Sequence, residues 1–351
     1  MKKGKTGKII GCIFLLVVVV FCALTAIYHK AAYAVFKNLT TGKADLDEST
    51  EWEDGKSYTD IKYAGDSSSQ YLDLYVPDTQ SGQRPPLFVL IHGGGFIAGD
   101  ARTRQAQFMY RFFRDQGYAC ASINYRLAQE AAFPAGLSDC RAAIRYLKAH
   151  ADLYGFDAEK VAVWGESAGG YLAVMCAVTD DTEFMDIQYT DQENYGDISA
   201  GVNVLVDYYG AIDLGGMAGD WEALGIPDIV YRVANSWISG DVLSGYENVE
   251  SFWMRKNTSE MTEKEMSCID PHHYIKKNEL TGLSAYIVHG DCDITVPYLH
   301  SERLYEALRG KLGDDSTVFH LVPGMGHAAD SLYSDEMLAD LKHYLDEKLG
   351  S

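Results

Sequence analysis

Hydrophobic and polar positions follow two alternating patterns along most of this chain. Short apolar or alternating runs, typical of strands, are separated by longer stretches in which apolar residues recur at helical spacing. Strands are predicted over residues 71–76, 87–94, 119–127, 161–164, 202–210, 284–290 and 317–323. Helices are predicted over residues 101–116, 137–155, 168–178, 300–312 and 334–350. This alternation predicts an α/β fold with a mainly parallel central sheet and helices on both faces.

The first 34 residues follow a different pattern. Four lysines precede 20 residues, Ile9 to Tyr28, that carry no charge. This stretch is long enough to cross a bilayer as one helix, and the lysines before it favour the cytoplasmic side. Residues 1–34 are therefore predicted to be a single-pass anchor in the cell membrane, with the rest of the chain outside. The small-x-small sequence from Ala32 to Ala34 also fits a cleavage site, and a cleaved signal would give a secreted protein.

Composition marks two further boundaries. Residues 35–65 are polar with little periodicity and are expected to form a stalk, while residues 66–351 form one large α/β domain. A stretch at about 211–275 separates two predicted strands and is too long for an ordinary loop, so it is expected to form a small helical cap. Its aromatic side chains either line a pocket or pack the cap onto the body: Trp221, Tyr231, Trp237, Tyr246, Phe252 and Trp253.

Charge restricts the partners of the main body. Residues 1–34 contain five lysines and no acidic residue, so the remainder has 25 basic against 50 acidic residues and a net charge of −25. Repulsion disfavours nucleic acids, anionic substrates and anionic membranes, and a neutral or cationic ligand is favoured. The cysteines of the body are odd in number and widely spaced, which does not indicate a disulfide framework: Cys120, Cys140, Cys176, Cys268 and Cys292. Most are expected to be small buried hydrophobes.

One serine lies at a tight glycine-rich corner. Residues 165–170 read Gly-Glu-Ser-Ala-Gly-Gly and connect a predicted buried strand to a predicted helix. Such a turn displays the Ser167 hydroxyl at the sheet edge, and Gly165 and Gly169 let strand and helix pass close to it. Ser167 is therefore a candidate nucleophile. The motif alone also fits an ordinary glycine-rich connection, so the partners of a nucleophile have to come from the rest of the chain.

A serine nucleophile needs a base and an orienting carboxylate at the same sheet edge. His327 follows a predicted strand in a loop with one proline and two glycines, and it is the candidate base. Residues 291–297, after another predicted strand, offer two carboxylates. Placement beyond the tight His-Gly turn favours Asp293, with Asp291 in reserve, and either also fits a capping or turn role. The order Ser167, Asp293, His327 matches nucleophile-elbow hydrolases.

A second glycine-rich loop offers the backbone N–H donors that a serine nucleophile also requires. Gly93, Gly94 and Gly95 follow a predicted strand and leave backbone N–H groups unshielded. Such groups can stabilise the negative oxygen that develops during acyl transfer. The N–H groups of Gly94 and Gly95, together with that of Ala168 after the nucleophile, are the candidate oxyanion hole. His92 is expected to hold this loop in place.

Other uses of these motifs are disfavoured. The glycine loop departs from the dinucleotide pattern G-x-G-x-x-G, and the next strand ends in Tyr125 and Arg126, where a ribose-binding acid would be needed. The chain contains neither a complete G-x-x-x-x-G-K-[ST] phosphate loop nor an H-E-x-x-H zinc motif. His272 and His273 are expected to face the surface. No cofactor and no metal are therefore expected.

Six segments together resemble the α/β-hydrolase fold: HGGGF, NYRLA, FPAGLSDCRAAIRYL, VAVWGESAGGYLA, HGDCDITVP and GMGH. They are most similar to the acetyl esterase/lipase group, which includes hormone-sensitive-lipase-like and bacterial feruloyl-esterase-like enzymes. The resemblance extends from about Tyr71 to the C-terminus. It implies a serine esterase without a cofactor, acting on esters of modest acyl length. Two departures lie in the substrate region, where Ala211 replaces a usual proline and "DPHHY" replaces a common Ser-Pro opening.

The sequence therefore predicts a serine hydrolase that cleaves carboxylic esters through an acyl-enzyme on Ser167, with acetylated or feruloylated carbohydrate among its candidate substrates. An exported peptidase of related fold is one alternative, although such enzymes usually carry a large extra domain and no span here is free to form one. A binding protein without catalysis is the other alternative. Loss of the serine, acid or histidine would mark that class, and this chain keeps all three.

Overall fold

The computed structural model describes residues 55–79, 82–184, 195–227, 243 and 245–350. The predicted membrane anchor at residues 1–34, together with most of the predicted stalk, lies outside these described residues. Within the described ranges, no helix combines the length and the apolar character that crossing a membrane would require.

One mixed sheet forms the centre of the described fold. Its eight strands are β1 (Lys56–Lys62), β2 (Tyr71–Val76), β3 (Pro86–Ile91), β4 (Ala119–Ile123), β5 (Asp157–Glu166), β6 (Val204–Tyr208), β7 (Ser284–Gly290) and β8 (Thr317–Val322). They lie side by side in the order β1-β2-β4-β3-β5-β6-β7-β8. β2 pairs antiparallel with both β1 and β4, and every other pair is parallel. The predicted mainly parallel sheet is confirmed.

Helices cover the sheet on both faces. They are α1 (Arg104–Asp115), α2 (Ala135–Ala149), α3 (Ala151–Tyr154), α4 (Ala168–Val178), α5 (Met217–Ala223), α6 (Val249–Met254), α7 (Glu263–Ile269), α8 (Pro271–Lys277), α9 (Leu299–Leu312) and α10 (Asp335–Leu349). One apolar core lies between the sheet and α2, α4 and α9, and a second core contains residues of α1 and α10. The central strands are therefore buried on both sides, which explains their continuous apolar runs.

Strand β1 corrects the predicted boundary of the stalk. Its residues belong to the range 35–65 that polar composition assigned to a stalk, yet they pair with β2 at the sheet edge. Most side chains of this edge strand face solvent, while Tyr58 and Ile61 pack against the core. Because these two apolar residues are three positions apart, β1 lacks the regular apolar alternation from which half-buried strands are predicted.

Helices α5 to α8 lie between β6 and β7, where the sequence predicts a cap. Residues 228–242 and 244 of this insertion lie outside the described residues. Trp253 in α6 is buried and stacks on Phe96, which follows β3, and it packs edge-on against Tyr171 of α4. The insertion therefore contacts the body beside the glycine loop and the serine turn.

Parallel pairing brings the functional loops to one edge of the sheet. β3, β5, β7 and β8 run in the same direction, so their carboxyl ends lie at the same edge. The loops that follow these strands carry Gly94, Ser167, Asp293 and His327 respectively. In sheets of this kind, ligands bind outside the carboxyl ends of the strands.

Candidate active site

Ser167 occupies a strained turn between β5 and α4, with φ 52° and ψ −119°. A non-glycine residue with such a positive φ is held there only by its surroundings. A Cβ on Gly165 would lie 2.1 Å from the Gly169 carbonyl oxygen, and a Cβ on Gly169 would lie 2.2 Å from the Ile91 carbonyl oxygen. The close strand-to-helix passage predicted for these two glycines is confirmed.

His327 connects Ser167 to Asp293. Its Nε2 lies 3.1 Å from Ser167 Oγ, and its Nδ1 lies 2.6 Å from Asp293 Oδ2. With Nδ1–H donated to the carboxylate, the Nε2 lone pair can accept the hydrogen of the serine hydroxyl. The His327 side chain is 17% exposed, whereas the Asp293 side chain is fully buried. This arrangement can activate Ser167 as a nucleophile.

Asp293 is surrounded by hydrogen-bond donors. Its Oδ1 accepts the backbone N–H groups of Thr295 at 2.7 Å and Val296 at 2.9 Å. Its Oδ2 accepts from His327, and His289 Nε2 lies 3.3 Å from the same oxygen. Burial by itself would raise the pKa of Asp293, but the charge of His327 and the hydrogen bonds from both histidines hold it well below its usual range. Asp293 is therefore an ionised carboxylate at neutral pH.

The pKa of His327 is raised above its ordinary value. Burial alone would lower this pKa, but the charge of Asp293, the hydrogen bond with it and the charge of Glu166 together outweigh burial. A raised pKa makes the imidazole a better proton acceptor during attack by Ser167. It also stabilises the imidazolium that forms in that step.

Asp291 and Asp293, the two candidates for the orienting acid, lie in different surroundings. Asp291 is exposed, and its Oδ1 accepts the Gly324 N–H at 2.5 Å in the loop after β8. Asp291 therefore stabilises the loop that carries His327, without a hydrogen bond to the imidazole. Asp293 is the carboxylate that the structure brings to His327, as the His-Gly turn favoured.

The glycine loop after β3 turns sharply beside the serine. Gly94 has φ 115° and Gly95 has φ 60°, and the Gly94 carbonyl accepts the N–H groups of Ile97 and Ala98. A Cβ on Gly94 would lie only 2.0 Å from the Ala98 carbonyl oxygen, so this position requires glycine. Ala168 begins α4, where the first N–H groups have no acceptor within the helix. The N–H groups of Gly94, Gly95 and Ala168 are the ones that the sequence predicts will form the oxyanion hole.

His92 supports this loop from beneath. Its Nδ1 lies 2.7 Å from the Gly93 carbonyl oxygen, and its ring stacks on Tyr125 with centroids 4.3 Å apart. The Tyr125 hydroxyl donates to the His92 carbonyl at 2.9 Å. Burial lowers the pKa of His92 to about 4, so the imidazole is neutral. The expected holding role of His92 agrees with these contacts.

Sequence reasoning missed a buried polar group on the other side of His327. The Tyr209 hydroxyl donates to Glu166 Oε2 at 2.7 Å, and the Tyr333 hydroxyl also hydrogen-bonds to that of Tyr209. The ring of Tyr209 packs edge-on against the His327 imidazole with centroids 4.7 Å apart. Tyr209 has φ 44°, because the chain bends sharply after β6. The available signal was Glu166 itself, an acidic residue that directly follows the apolar part of β5.

Aromatic residues form a continuous group beside the serine turn. Phe96 and Trp253 stack with centroids 3.9 Å apart, and Tyr171, one helical turn after Ser167, packs edge-on against both. Trp221 is also buried, while Tyr231 and Trp237 lie outside the described residues. Packing onto the body is therefore established for Trp253.

The remaining polar candidates have structural partners. Asp270 caps α8 by accepting the His272 backbone N–H, and the His272 Nδ1 lies 2.9 Å from the same carboxylate oxygen. In the described part of the chain, no cluster of three or more histidine, cysteine or acidic side chains could hold a metal ion. The five body cysteines are free, and all except the exposed Cys268 are buried, as expected for small hydrophobes.

The proteins with similar sequences include carboxylic ester hydrolases, esterases and lipases. It is 24% identical over 282 residues to the probable carboxylic ester hydrolase LipM of Mycobacterium tuberculosis (strain ATCC 25618 / H37Rv), covering 78% of this chain and 57% of that protein. It is 27% identical over 269 residues to esterase LipC of the same organism, covering 76% of this chain and 59% of that protein. Human hormone-sensitive lipase is 34% identical over 134 residues, which are 38% of this chain and 12% of the lipase. The chain thus spans less than two thirds of the length of these relatives.

Solved structures of similar fold include a truncated carbohydrate esterase from gut microbiota. It has a TM-score of 0.65 and 24% identity, with 88% of this chain and all of that chain covered. An acetyl ester-xyloside bifunctional hydrolase from Caldicellulosiruptor lactoaceticus has a TM-score of 0.60 and 19% identity, covering 80% of this chain and 89% of that one. At these identities the likeness establishes the fold, which is that of the α/β hydrolases.

The BD-FAE family model matches residues 72–308, from β2 into α9. Ser167 and Asp293 lie within the match, and His327 follows it in the loop after β8. Since the match covers more than half of the sequence, this chain belongs to the BD-FAE family.

Proposed function

We propose that this chain is a serine hydrolase that cleaves carboxylic esters. The observation that carries the proposal is the continuous contact from Ser167 through His327 to the buried, ionised Asp293. Each group has the state its role requires: a serine displayed on a strained turn, an imidazole with a raised pKa and a carboxylate with a lowered one. Membership of a family with esterase relatives supports the same chemistry.

The reaction begins with acyl transfer to the serine. Ser167 Oγ attacks the ester carbonyl carbon while His327 Nε2 takes the hydroxyl proton, and Asp293 stabilises the imidazolium that results. The carbonyl oxygen becomes an oxyanion, which we place against the N–H groups of Gly94, Gly95 and Ala168. Collapse of this intermediate breaks the bond to the alcohol, which leaves with the proton from His327.

Water then releases the acid. His327, neutral again, takes a proton from water, and the oxygen attacks the carbonyl of the acyl-enzyme. The second oxyanion uses the same N–H groups. Its collapse breaks the bond to Ser167 Oγ, returns the proton to the serine and frees the carboxylic acid. These residues complete the reaction without a cofactor.

We propose neutral esters with short to medium acyl chains as substrates. The net charge of −25 outside residues 1–34 disfavours anionic esters. Phe96 and Trp253 stack beside the serine turn with Tyr171 against both, and we propose that these rings limit the length of the acyl chain. Acetylated or feruloylated carbohydrate fits a neutral ester, and two structures of like fold are described as a carbohydrate esterase and an acetyl ester-xyloside hydrolase.

Hydrolysis of p-nitrophenyl esters from acetate to octanoate, by the full chain and by Ser167→Ala, tests the proposal. We expect turnover by the wild type and a loss on the order of a million-fold in kcat for the variant. A folded wild type that is no faster than Ser167→Ala on every ester, acetylated and feruloylated sugars included, would leave the peptidase and binding alternatives. Peptide substrates and carbohydrate binding would then be measured.

The dependence of activity on acyl-chain length tests separately whether Phe96, Trp253 and Tyr171 limit the acyl chain. Trp253→Ala removes a buried ring from the stack on Phe96, and we expect the preferred acyl chain to lengthen because space opens there. Tyr246→Ala is the control within the same cap, since Tyr246 contacts Phe252 and not Phe96. An unchanged profile in Trp253→Ala would show that this stack does not limit the acyl chain.

We propose that a helical cap at about 211–275 lies over the catalytic domain. We further propose that residues 1–34 tether the enzyme to the cell membrane, with the catalytic domain outside. Support for the tether comes from the uncharged run between Ile9 and Tyr28. In cells expressing the full chain, we expect the protein in the membrane fraction with its N-terminus intact. Recovery from the medium of a chain that begins after Ala34 would replace the anchor by a cleaved signal.

A further inference from the structure

A line of buried polar side chains continues from Asp293 into the sheet. His289, in β7, places Nε2 3.3 Å from Asp293 Oδ2, and its Nδ1 lies 2.8 Å from the Oγ of Ser301 in α9. Ser301 Oγ lies in turn 3.4 Å from Oδ2 of Asp207 in β6. His289, Ser301 and Asp207 are all fully buried. The reaction described above uses none of them.

The acceptors around His289 determine where its hydrogen lies. Nε2 faces two acceptors, Asp293 Oδ2 and the Val296 carbonyl oxygen at 3.1 Å, so this nitrogen carries a hydrogen. In a neutral imidazole, Nδ1 then has a lone pair and accepts the Ser301 hydroxyl hydrogen. The contact with Ser301 therefore selects the tautomer that donates to Asp293.

Ser301 also faces the carboxyl group of Asp207. Its single hydroxyl hydrogen has two acceptors within reach, His289 Nδ1 at 2.8 Å and Asp207 Oδ2 at 3.4 Å, and the shorter contact takes it. Burial raises the pKa of Asp207 to about 7, against hydrogen bonds from Gly210 and Ser301. At 3.4 Å, this contact is the weakest of the line.

The line matters because Asp293 Oδ2 is the oxygen that receives His327. Backbone N–H groups hold only Oδ1 of this carboxylate. His289 is the second group that faces Oδ2, beside His327 itself, and its Nε2–H lies between Oδ2 at 3.3 Å and the Val296 carbonyl oxygen at 3.1 Å. Without His289, Oδ2 would be held only by the His327 imidazole, which is the group that Asp293 has to orient.

We propose that His289 is a positioning residue for ester hydrolysis. As the neutral Nε2–H tautomer selected by Ser301, it donates to Asp293 and holds Oδ2 toward His327. The inference rests on the proposed function, since it takes Asp293 as the orienting acid of the reaction.

Ser301→Ala is the first test, because it removes only the hydroxyl that selects the tautomer. We expect kcat to fall roughly tenfold, the size of one lost hydrogen bond, with KM unchanged because Ser301 lies away from the substrate. Ser122→Ala is the matched control: Ser122 is equally buried and donates to the Ala101 carbonyl at 2.6 Å, remote from Asp293. Equal kcat in Ser301→Ala and Ser122→Ala would overturn the positioning role.

Nitrogen NMR of the histidine-labelled full chain reads the tautomer without any ester. We expect His289 protonated at Nε2 and unprotonated at Nδ1, and a shift of the low-field His327 Nδ1 proton in Ser301→Ala but not in Ser122→Ala. A doubly protonated His289, or the Nδ1–H tautomer, would overturn the inference. A wild type with the expected tautomer but no hydrolysis would refute the proposed function alone, so the two failures are distinguishable.

Discussion

Two buried carboxylates act on His327 from different parts of the fold, and only one of them contacts it. Asp293, in the loop after β7, accepts the His327 Nδ1–H at 2.6 Å. Glu166, at the end of β5, instead accepts the hydroxyl of Tyr209, whose ring packs against the imidazole. Asp293 can therefore orient the imidazole, whereas Glu166 acts on it through charge and through the packing of Tyr209.

The groups around the two carboxylates explain why their pKa values shift in opposite directions. Both are buried, yet the pKa of Asp293 falls well below its usual range, while that of Glu166 is raised. Asp293 faces two imidazoles in addition to two backbone N–H groups. For Glu166, burial outweighs the hydrogen bonds from Tyr209, the Gly93 N–H and Tyr333 and the charge of His327. Burial alone thus does not determine the direction in which the pKa of a carboxylate shifts, because the donors and charges around it also contribute.

The largest effect is expected for Asp293→Asn. The N–H groups of Thr295 and Val296 fix the side-chain oxygen at the Oδ1 position, so the amide nitrogen would face His327. His327 Nδ1 would have to accept, and the proton would move to Nε2, where it blocks attack by Ser167. We expect kcat to fall about ten-thousand-fold, as for the same change in other serine hydrolases.

Asp291→Asn is the control for that measurement. Asp291 bonds the Gly324 N–H, and an asparagine oxygen can still accept it. Its kcat should stay close to that of the wild type. If the two variants lost equal activity, the assignment of the acid between them would be undone.

Glu166→Gln is expected to have a smaller effect and to show it in the pH profile. His327 must be neutral to accept a proton, so kcat/KM falls as the pH drops through its raised pKa. Removing the Glu166 charge lowers that pKa, and the acid limb should move to lower pH. We expect a loss of kcat below about tenfold, because the glutamine still accepts from Tyr209 and the contact with Asp293 is kept. An acid limb that stays in place would show that the charge of Glu166 does not reach His327.

The sequence was sufficient for the parts of the site that local chemistry determines. The serine turn, the three candidates and their chain order follow from glycines and polar residues that end apolar strands, and the structure brings those groups into contact. Strands 71–76 and 284–290 are predicted with the boundaries that the structure has, since Pro77 follows the first and Gly290 ends the second.

The remainder depended on tertiary contacts that no local pattern reveals. β1 is an exposed edge strand and therefore looks like a polar linker. Glu166, Tyr209 and Tyr333 lie far apart in sequence, so neither their contact nor its effect on His327 can be predicted from spacing. His289 stands in an apolar strand, where its partner Ser301 comes from the next helix.

The smallest effect is expected for Tyr209→Phe, which keeps the ring against His327 and removes the hydroxyl. Glu166 loses a buried donor, so the free energy of unfolding should fall by about 1–3 kcal/mol, measured by denaturant unfolding. We expect kcat to fall less than about threefold, because the packing on the imidazole and the bond to Asp293 remain. Tyr286→Phe is the matched control, since the Tyr286 hydroxyl donates to Asp340 at 2.8 Å away from the site. Tyr209→Phe could instead lower kcat as far as Glu166→Gln while Tyr286→Phe did not. The Tyr209 hydroxyl would then affect His327 in addition to the packing of its ring, and the Glu166–Tyr209 pair would contribute to catalysis more nearly as Asp293 does.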